Sequence, residues 1–558
     1  MLSNLHERIP QYIRGHKKDF LAFSIAIAFF LVFSIFSILQ YYSLGTSAYD
    51  LGINAQSLYV FIHKGTFYTP LLNENTLVQH FTIFKFTQVP IYYLFPSPIS
   101  IMIYENLFIA MGGYIVYLLS MELLKDHIKS LKLLYLISIG FLFSYEFSPF
   151  TQSLVSFPFH MMAFLPFFLL LAFYAFLTER RALHILSLAL IISIHANFIY
   201  IVAILLLYEF LFLHTSRGRK IGTWLSAKSK TTGVKNFSYF IVFIVLAYGY
   251  LVFAAYMKLR LAGIPSLSPL PTTGETGTPV SSPVTLLLLL FHNPGEFASI
   301  IGTNSGGKIF YLNLLFKSNI YLPLFSPLSL ILLLPYSIYA LPSSYSAYYQ
   351  LGYMYSALVV GSIYISAIMG AYNLIRLGKF IYKHSKSIRL HTKKVYAKMH
   401  NSNTLIPVIT IIIIVVLVIS IPFGLLSPPA VQQTSHGTMN DIFKENPDGA
   451  ASFLINVSRN LPKDSYILTE NSLMPYFSNN INVYSTPWSP GYYNILPEFR
   501  YIIIQNNSLW ATQGGNHSLQ LIVNQGLTNG NYTIVDSYAP ANIMILENTH
   551  YTPAYIEK

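Results

Sequence analysis

The chain has 558 residues, of which 54% are hydrophobic and only 10% charged, whereas a soluble domain carries about 25% charged residues. Its formal charge of +13 does not mark a nucleic-acid binder, because 23 of the 34 Lys and Arg residues fall in five short stretches rather than one basic domain. Cysteine is absent, which excludes disulfides, thiolate metal sites and cysteine nucleophiles.

The basic stretches are 1–19, 124–132, 179–181, 214–236 and 376–403, and the runs between them are apolar. Runs of about 20 apolar residues cross a bilayer as helices. Basic loops stay cytoplasmic, so the clusters orient every span. Phe20–Leu39 exceeds the roughly 7–15 residues of a signal peptide's apolar region and reads as an uncleaved first span. Spans are predicted near 20–40, 98–124, 131–149, 161–178, 182–194, 197–213, 237–257, 307–322, 324–341, 353–375 and 404–421. The expected fold class is therefore an α-helical polytopic protein of the plasma membrane, with a cytoplasmic N-terminus and an extracytoplasmic C-terminus. The break at His195-Ala196-Asn197 follows from charge: one helix over 182–213 would put two basic loops on opposite sides.

Three outer segments are large. The first, 41–97, holds the apolar, Pro-broken piece Phe81–Pro98, which suits the membrane interface. The second, 258–306, contains the Pro/Thr/Gly-rich stretch Pro265–Pro283 and Val284–Phe291, too short to span. The third is the tail. The predicted division is a transmembrane domain over 1–421 and an extracytoplasmic α/β domain over 422–558. Ser465–Thr469, Arg500–Gln505 and Ile543–Glu547 read as strands, and Pro447–Arg459 and Ser518–Gln525 have helical spacing. Glycosylation sequons at Asn456, Asn506, Asn516 and Asn531 agree with an outside tail, while Asn236 adjoins a basic inner loop and is not expected to be used. No internal repeat is evident, which speaks against an inverted-repeat transporter.

This topology gathers Asp50, His80, Glu146, His160, His195, Gln350 and Tyr353 at helix ends on the outer face. Singly, each also fits a bland role: an interfacial histidine, an Asp N-cap or a solvated Glu. Glu105 is harder to dismiss. It lies inside the second span, where a carboxylate costs at least about 2.5–3.5 kcal/mol, so it is read as the marker of a polar recess shared with His160 and Asp50. A carboxylate with histidines at a membrane surface suits general-base activation of a hydroxyl. It equally suits a divalent cation, magnesium or manganese, held by Asp50 and His160 against a phosphate leaving group. The sequence has no phosphate-binding P-loop, His-Glu-x-x-His or Gly-x-Ser-x-Gly pattern.

Tyr49-Asp50-Leu51-Gly52, Gln56, Gly65, His80-Phe81, Leu94-Phe95-Pro96-Ser97-Pro98, Phe157-Pro158-Phe159-His160, Tyr353-Met354-Tyr355-Ser356-Ala357, Leu461-Pro462-Lys463-Asp464 and Pro475-Tyr476-Phe477-Ser478 together form a pattern. It resembles a family of prokaryotic predicted membrane proteins (domain of unknown function 2079) grouped with the C-type glycosyltransferases. The resemblance implies sugar transfer from a polyprenyl-phosphate donor on the outer face, with Asp50 as the acidic residue of the first outer loop; in that reading His80 and His160 are expected to assist, and Glu105, Glu146, His195, Gln350 and Tyr353 to lie near substrate. It also implies that 81–98 guides the lipid donor. The chain departs from the family pattern at Pro158 and Met161–Met162, where acidic residues flank the Phe-His pair, and at His195-Ala196-Asn197, where the family tends to have Lys-Glu-Asp. Those departures leave a second reading open: a non-catalytic scaffold, or a lipid-carrier or glycan binder, of the same fold. In both, the partners are membrane lipids and polyprenyl-phosphate sugars, not nucleic acid.

Overall fold

The structure is a computed structural model that describes residues 17–213, 232–262, 288–289, 291–384, 411–412, 414–416, 449–486, 489, 498–512 and 518–551. The chain enters through α1 (Lys17–Tyr42) and turns over 43–52 into α2 (Ile53–Lys64). A small antiparallel hairpin, β1 (Tyr68–Thr69) and β2 (Glu74–Asn75), and the short α3 (Val89–Leu94) precede α4 (Pro98–Leu124). Ser97 caps α4 by accepting the Ile99 N–H at 3.3 Å, and Pro98 suits a first turn that needs no N–H donor. At 1.5 Å per residue α4 is roughly 40 Å long.

Four described helices are long and apolar enough to cross a bilayer, and a fifth qualifies if one bent pair counts as a single span. The protein is a helical multi-span membrane protein. Exposed Leu31, Val32 and Ile35 on α1, like Ile185 and Leu186 farther on, suit contact with lipid.

Several predicted spans are not continuous helices. The 131–149 segment forms α5 (Leu131–Glu146) and then bends by 41° into α6 (Pro149–Ser156). Pro149 cannot donate to the preceding turn, and Ser148 starts a new helix by accepting the Phe150 N–H. The 161–178 segment opens as a 3-10 turn, Met161–Phe164, before α7 (Leu165–Leu177). Between α8 (Arg181–Ile194) and α9 (Ile199–Leu213) the expected break is present, as a 3-10 turn over Ala196–Phe198. The predicted 237–257 span lies within α10 (Thr232–Ala262), which includes Asn236, and 307–322 begins as α11 (Ser305–Lys317). Pro323, Pro327 and Pro335 cut 324–341 into two 3-10 turns and the short helix Leu334–Ala340. The 353–375 segment becomes α12 (Ala357–His384) after a 3-10 turn. Most of 404–421, the basic loop 214–231 and Pro265–Pro283 lie outside the described residues.

Close packing in the bundle depends on small residues. A Cβ on Gly113 would lie 2.2 Å from Glu146 Oε1, so the α4–α5 approach requires glycine there. Basic residues gather at one end: α4 ends at Lys125, α7 leads into Arg180, α8 starts at Arg181, and α12 carries Arg376 and Lys379 near its end. The turn holding Asp50 is at the opposite end.

The described tail forms a five-stranded mixed sheet in the order β4-β3-β5-β7-β6, with α13 (Ala450–Asn460) and α14 (Leu519–Thr528) beside it. Strands β3 (Ile467–Glu470), β4 (Val483–Thr486) and β5 (Tyr501–Gln505) are parallel; β6 (Tyr532–Tyr538) and β7 (Ile543–Asn548) join antiparallel. The predicted strands and helices fall within a few residues of β3, β5, β7, α13 and α14. Strands β4 and β6 were not predicted. Only four residues form β4, and β6 is largely solvent-exposed and bulged, so neither carries a clear alternation. The tail meets the rest of the chain through α13 and the 3-10 turn Met474–Phe477, where Leu454, Met474 and Phe477 share a core with Tyr41, Ala48 and Leu71.

Candidate functional site

Asp50 sits in a turn that few side chains tolerate. Its φ of 65° and ψ of −75° fall in the rare, strained γ-turn region with positive φ. Asn54 Nδ2 donates to the Asp50 carbonyl at 2.7 Å, Ser47 Oγ donates to the Tyr49 carbonyl at 3.0 Å, and the Ile53 N–H closes the turn. Only 15% of the side chain is exposed, and burial pushes the carboxyl up to about 7. Asp50 is thus not the helix cap that a short polar side chain often is.

His160 faces it, with Nε2 3.6 Å from Asp50 Oδ1. The ring is held by its own chain: extended at φ −156° and ψ 140°, His160 caps the Met161–Phe164 turn, and Nδ1 accepts the Met162 N–H at 3.1 Å. With Nδ1 an acceptor, the neutral ring carries its proton on Nε2, toward Asp50. Burial, then the charge of His80, pushes His160 down to about 3. Glu105 joins this pair from behind the turn: it is 2% exposed, and its Oε1 accepts the His160 N–H at 2.9 Å.

His195 repeats the arrangement. At φ −158° and ψ 126° it caps the Ala196–Phe198 turn, and Nδ1 accepts the Asn197 N–H at 3.0 Å. Its ring stacks on His80 at 4.5 Å. Burial, followed by His80, His160 and Lys258, lowers the His195 pKa. Burial, then Lys258 and Lys85, lowers His80 to about 4, although the residue as a whole is partly open to the surface.

Lys85 and Lys258 are groups that the sequence reading missed. Lys85 is 2% exposed and donates to Ser57 Oγ at 3.0 Å and Thr76 Oγ1 at 2.7 Å; burial lowers it to about 7. The available signal was a lone lysine in the apolar run Ile83-Phe84-Lys85-Phe86. A further ionisable pair, His184 and Glu209 at 3.2 Å, ties α8 to α9 away from this recess.

The remaining predicted residues divide. Tyr353 lies eight residues after Tyr345, which burial, then Tyr353 and Asp50, raises; the Tyr353 carbonyl accepts from Ser153 Oγ at 3.2 Å, and Gln350 precedes it by three residues. Glu146 is fully buried against Gly113 with no hydrogen-bond partner for its carboxyl oxygens, and it is not at the recess. The connection between α5 and α7 is filled by α6. Asn456 and Asn531 are exposed, Asn506 has its side-chain carbonyl oxygen enclosed, and Asn516 lies outside the described residues.

Magnesium usually keeps several waters and is held by one or two carboxylates together with substrate phosphate, and Asp50 is the carboxylate that faces His160. Here Glu105 is engaged by the His160 N–H, and His160 presents a proton rather than a lone pair. Among the described residues no group of three or more His, Asp or Glu side chains is placed to hold a metal. The arrangement offers a carboxyl pushed up to about 7 and two imidazole N–H donors, with two lysines near His80.

No curated protein matches the sequence. Among solved structures, the chain is similar to ArnT from Cupriavidus metallidurans bound to undecaprenyl phosphate, with 9% identity, a TM-score of 0.46, and 94% of this chain and 99% of that chain covered. It is also similar to the same organism's ArnT in the apo state, with 10% identity, a TM-score of 0.44 and the same coverage. The family model described as "Predicted membrane protein (DUF2079)" matches residues 40–542, and the chain belongs to that family.

Proposed function

We propose that the protein transfers a sugar from a polyprenyl-phosphate donor to a hydroxyl acceptor on the extracytoplasmic face of the plasma membrane. The observation that supports this most is the approach of His160 Nε2 to Asp50 Oδ1 at 3.6 Å, with Lys85 and Lys258 close enough to the neighbouring His80 to act on its charge. The sequence resemblance to the family related to C-type glycosyltransferases supports the same reading.

In this scheme ionised Asp50 takes the proton of the acceptor hydroxyl as its oxygen bonds to the anomeric carbon. The bond from that carbon to the donor phosphate oxygen breaks, and its electron pair leaves with the polyprenyl phosphate. The Nε2–H groups of His160 and His195 and the ammonium of Lys258 answer the charge on the leaving phosphate. Tyr93, Leu94 and Phe95, each about two-thirds exposed at the C-terminal end of α3, suit the lipid interface from which the donor arrives. The one-sided placement of basic helix ends supports the orientation, and exposed Asn456 and Asn531 are the sequons proposed to be modified.

The test is incorporation of radiolabelled sugar from a polyprenyl-phosphate donor by the full chain in lipid vesicles. Saturable transfer is the expected result. Saturable donor binding with no transfer overturns the enzymatic reading in favour of a lipid-carrier binder.

A further inference from the structure

A strained residue persists only when its surroundings over-determine it, at a cost of about 1–3 kcal/mol. The contacts within the Asp50 turn are few. The contacts that hold its ends come from more than 420 residues away, in the tail domain. On the N-terminal side the Ala48 N–H donates to both the main-chain carbonyl of Asn471, at 2.7 Å, and its side-chain Oδ1, at 3.0 Å. Asn471 directly follows β3 and is 1% exposed. On the C-terminal side Gly52 is pressed by Met474, whose Sδ would lie 2.4 Å from a Cβ at that position. One turn along α2, the Gln56 amide donates to the carbonyls of Val483 at 3.0 Å and Asn480 at 3.4 Å.

We infer that the tail domain is the brace of the Asp50 turn, with Asn471 and Met474 as positioning residues that keep the Asp50 carboxyl in its strained place opposite His160. The physical reason is reach. Ala48 and Gly52 flank Asp50 by two residues each, so a clamp on both fixes the path of the three residues between them. A clamp on one alone would let the turn relax toward ordinary φ. The sheet offers a rigid anchor because β3 is hydrogen-bonded on both sides, to β4 and to β5. The tail then acts within the site and is not an independent binding module. This rests on the proposed role of Asp50 only for its effect on catalysis; the brace itself is a mechanical statement.

The experiment reads the two separately, on the full chain in lipid nanodiscs. Asn471→Ala removes the side-chain acceptor, and amide exchange over 45–56 is expected to quicken about tenfold while exchange in α4 and α12 is unchanged. Gly52→Ala should do the same by pushing on Met474, and Gly52→Ala with Met474→Ala should recover much of the protection. Sugar transfer is expected to lose about tenfold in kcat at unchanged donor KM. Unchanged exchange in both single variants, or a double variant no better than Gly52→Ala, overturns the brace. Faster exchange in a protein whose wild type never transfers sugar upholds the brace and overturns the transferase reading.

Discussion

His160 and His195 open turns that are nearly superimposable in backbone angle, and each ring accepts the N–H two residues ahead. The same local device fixes the same tautomer twice. Their neighbours differ: His160 meets Asp50 and is held from behind by Glu105, whereas His195 stacks on His80 and feels Lys258. Local structure therefore determines what each ring can donate, and tertiary contact determines to what. In the proposed mechanism both rings offer an Nε2–H to the leaving phosphate, His160 from beside Asp50 and His195 from beside His80.

The sharpest way to break this comparison is to remove its reference point. Asp50→Asn keeps shape and removes the base, and transfer should fall by about 10²–10⁴-fold with donor binding retained; full activity would end the assignment. His160→Ala should cost about 10²-fold in kcat, the size expected for a lost positioned donor, measured at saturating donor. His195→Ala should cost about tenfold and should raise donor KM more than it lowers kcat. Equal losses with the same split between KM and kcat would erase the distinction between the two turns.

Two pH measurements sharpen it further. Asp50 titrates at about 7 and acts ionised, so kcat/KM should rise through pH 7 and level off above it. Glu470, buried at the end of β3 and bonded by Ser472 and Ser508, is likewise raised to about 7. Between its unfolded value near 4.5 and about 7 the folded state holds the extra proton, so this contribution to stability is present at low pH and is lost as pH rises through 7. Glu470→Gln should flatten that part of the melting-temperature profile without moving the pH profile of transfer. This is the smallest effect of the set.

Much of the helical part was legible because a bilayer imposes a simple rule on composition: apolar length makes a span, and basic residues mark its end. The break at 195–197 followed from that rule alone. Interruptions by proline were less legible, since Ser148-Pro149 and the prolines of 323–335 sit inside runs that are apolar enough to pass as spans. In the tail, strands with buried apolar residues stood out, and the exposed edge strand β6 did not.

At the site, the sequence by itself determined which residue types were available: one carboxylate beyond the first span, histidines at helix ends and a carboxylate within the second span. It could not say that Glu105 would serve the His160 main chain, that Glu146 would be buried against Gly113, or that Lys85 and Lys258 would lie near His80. Nor does any local pattern reveal that Asn471 would hold the turn around Asp50. Those are contacts between residues far apart in the chain, decided by how the helices and the sheet pack, and hydropathy and spacing carry no information about which distant side chain fills a given gap. Spans follow from the local balance of apolar and charged groups; the strained placement of one aspartate follows from the whole fold.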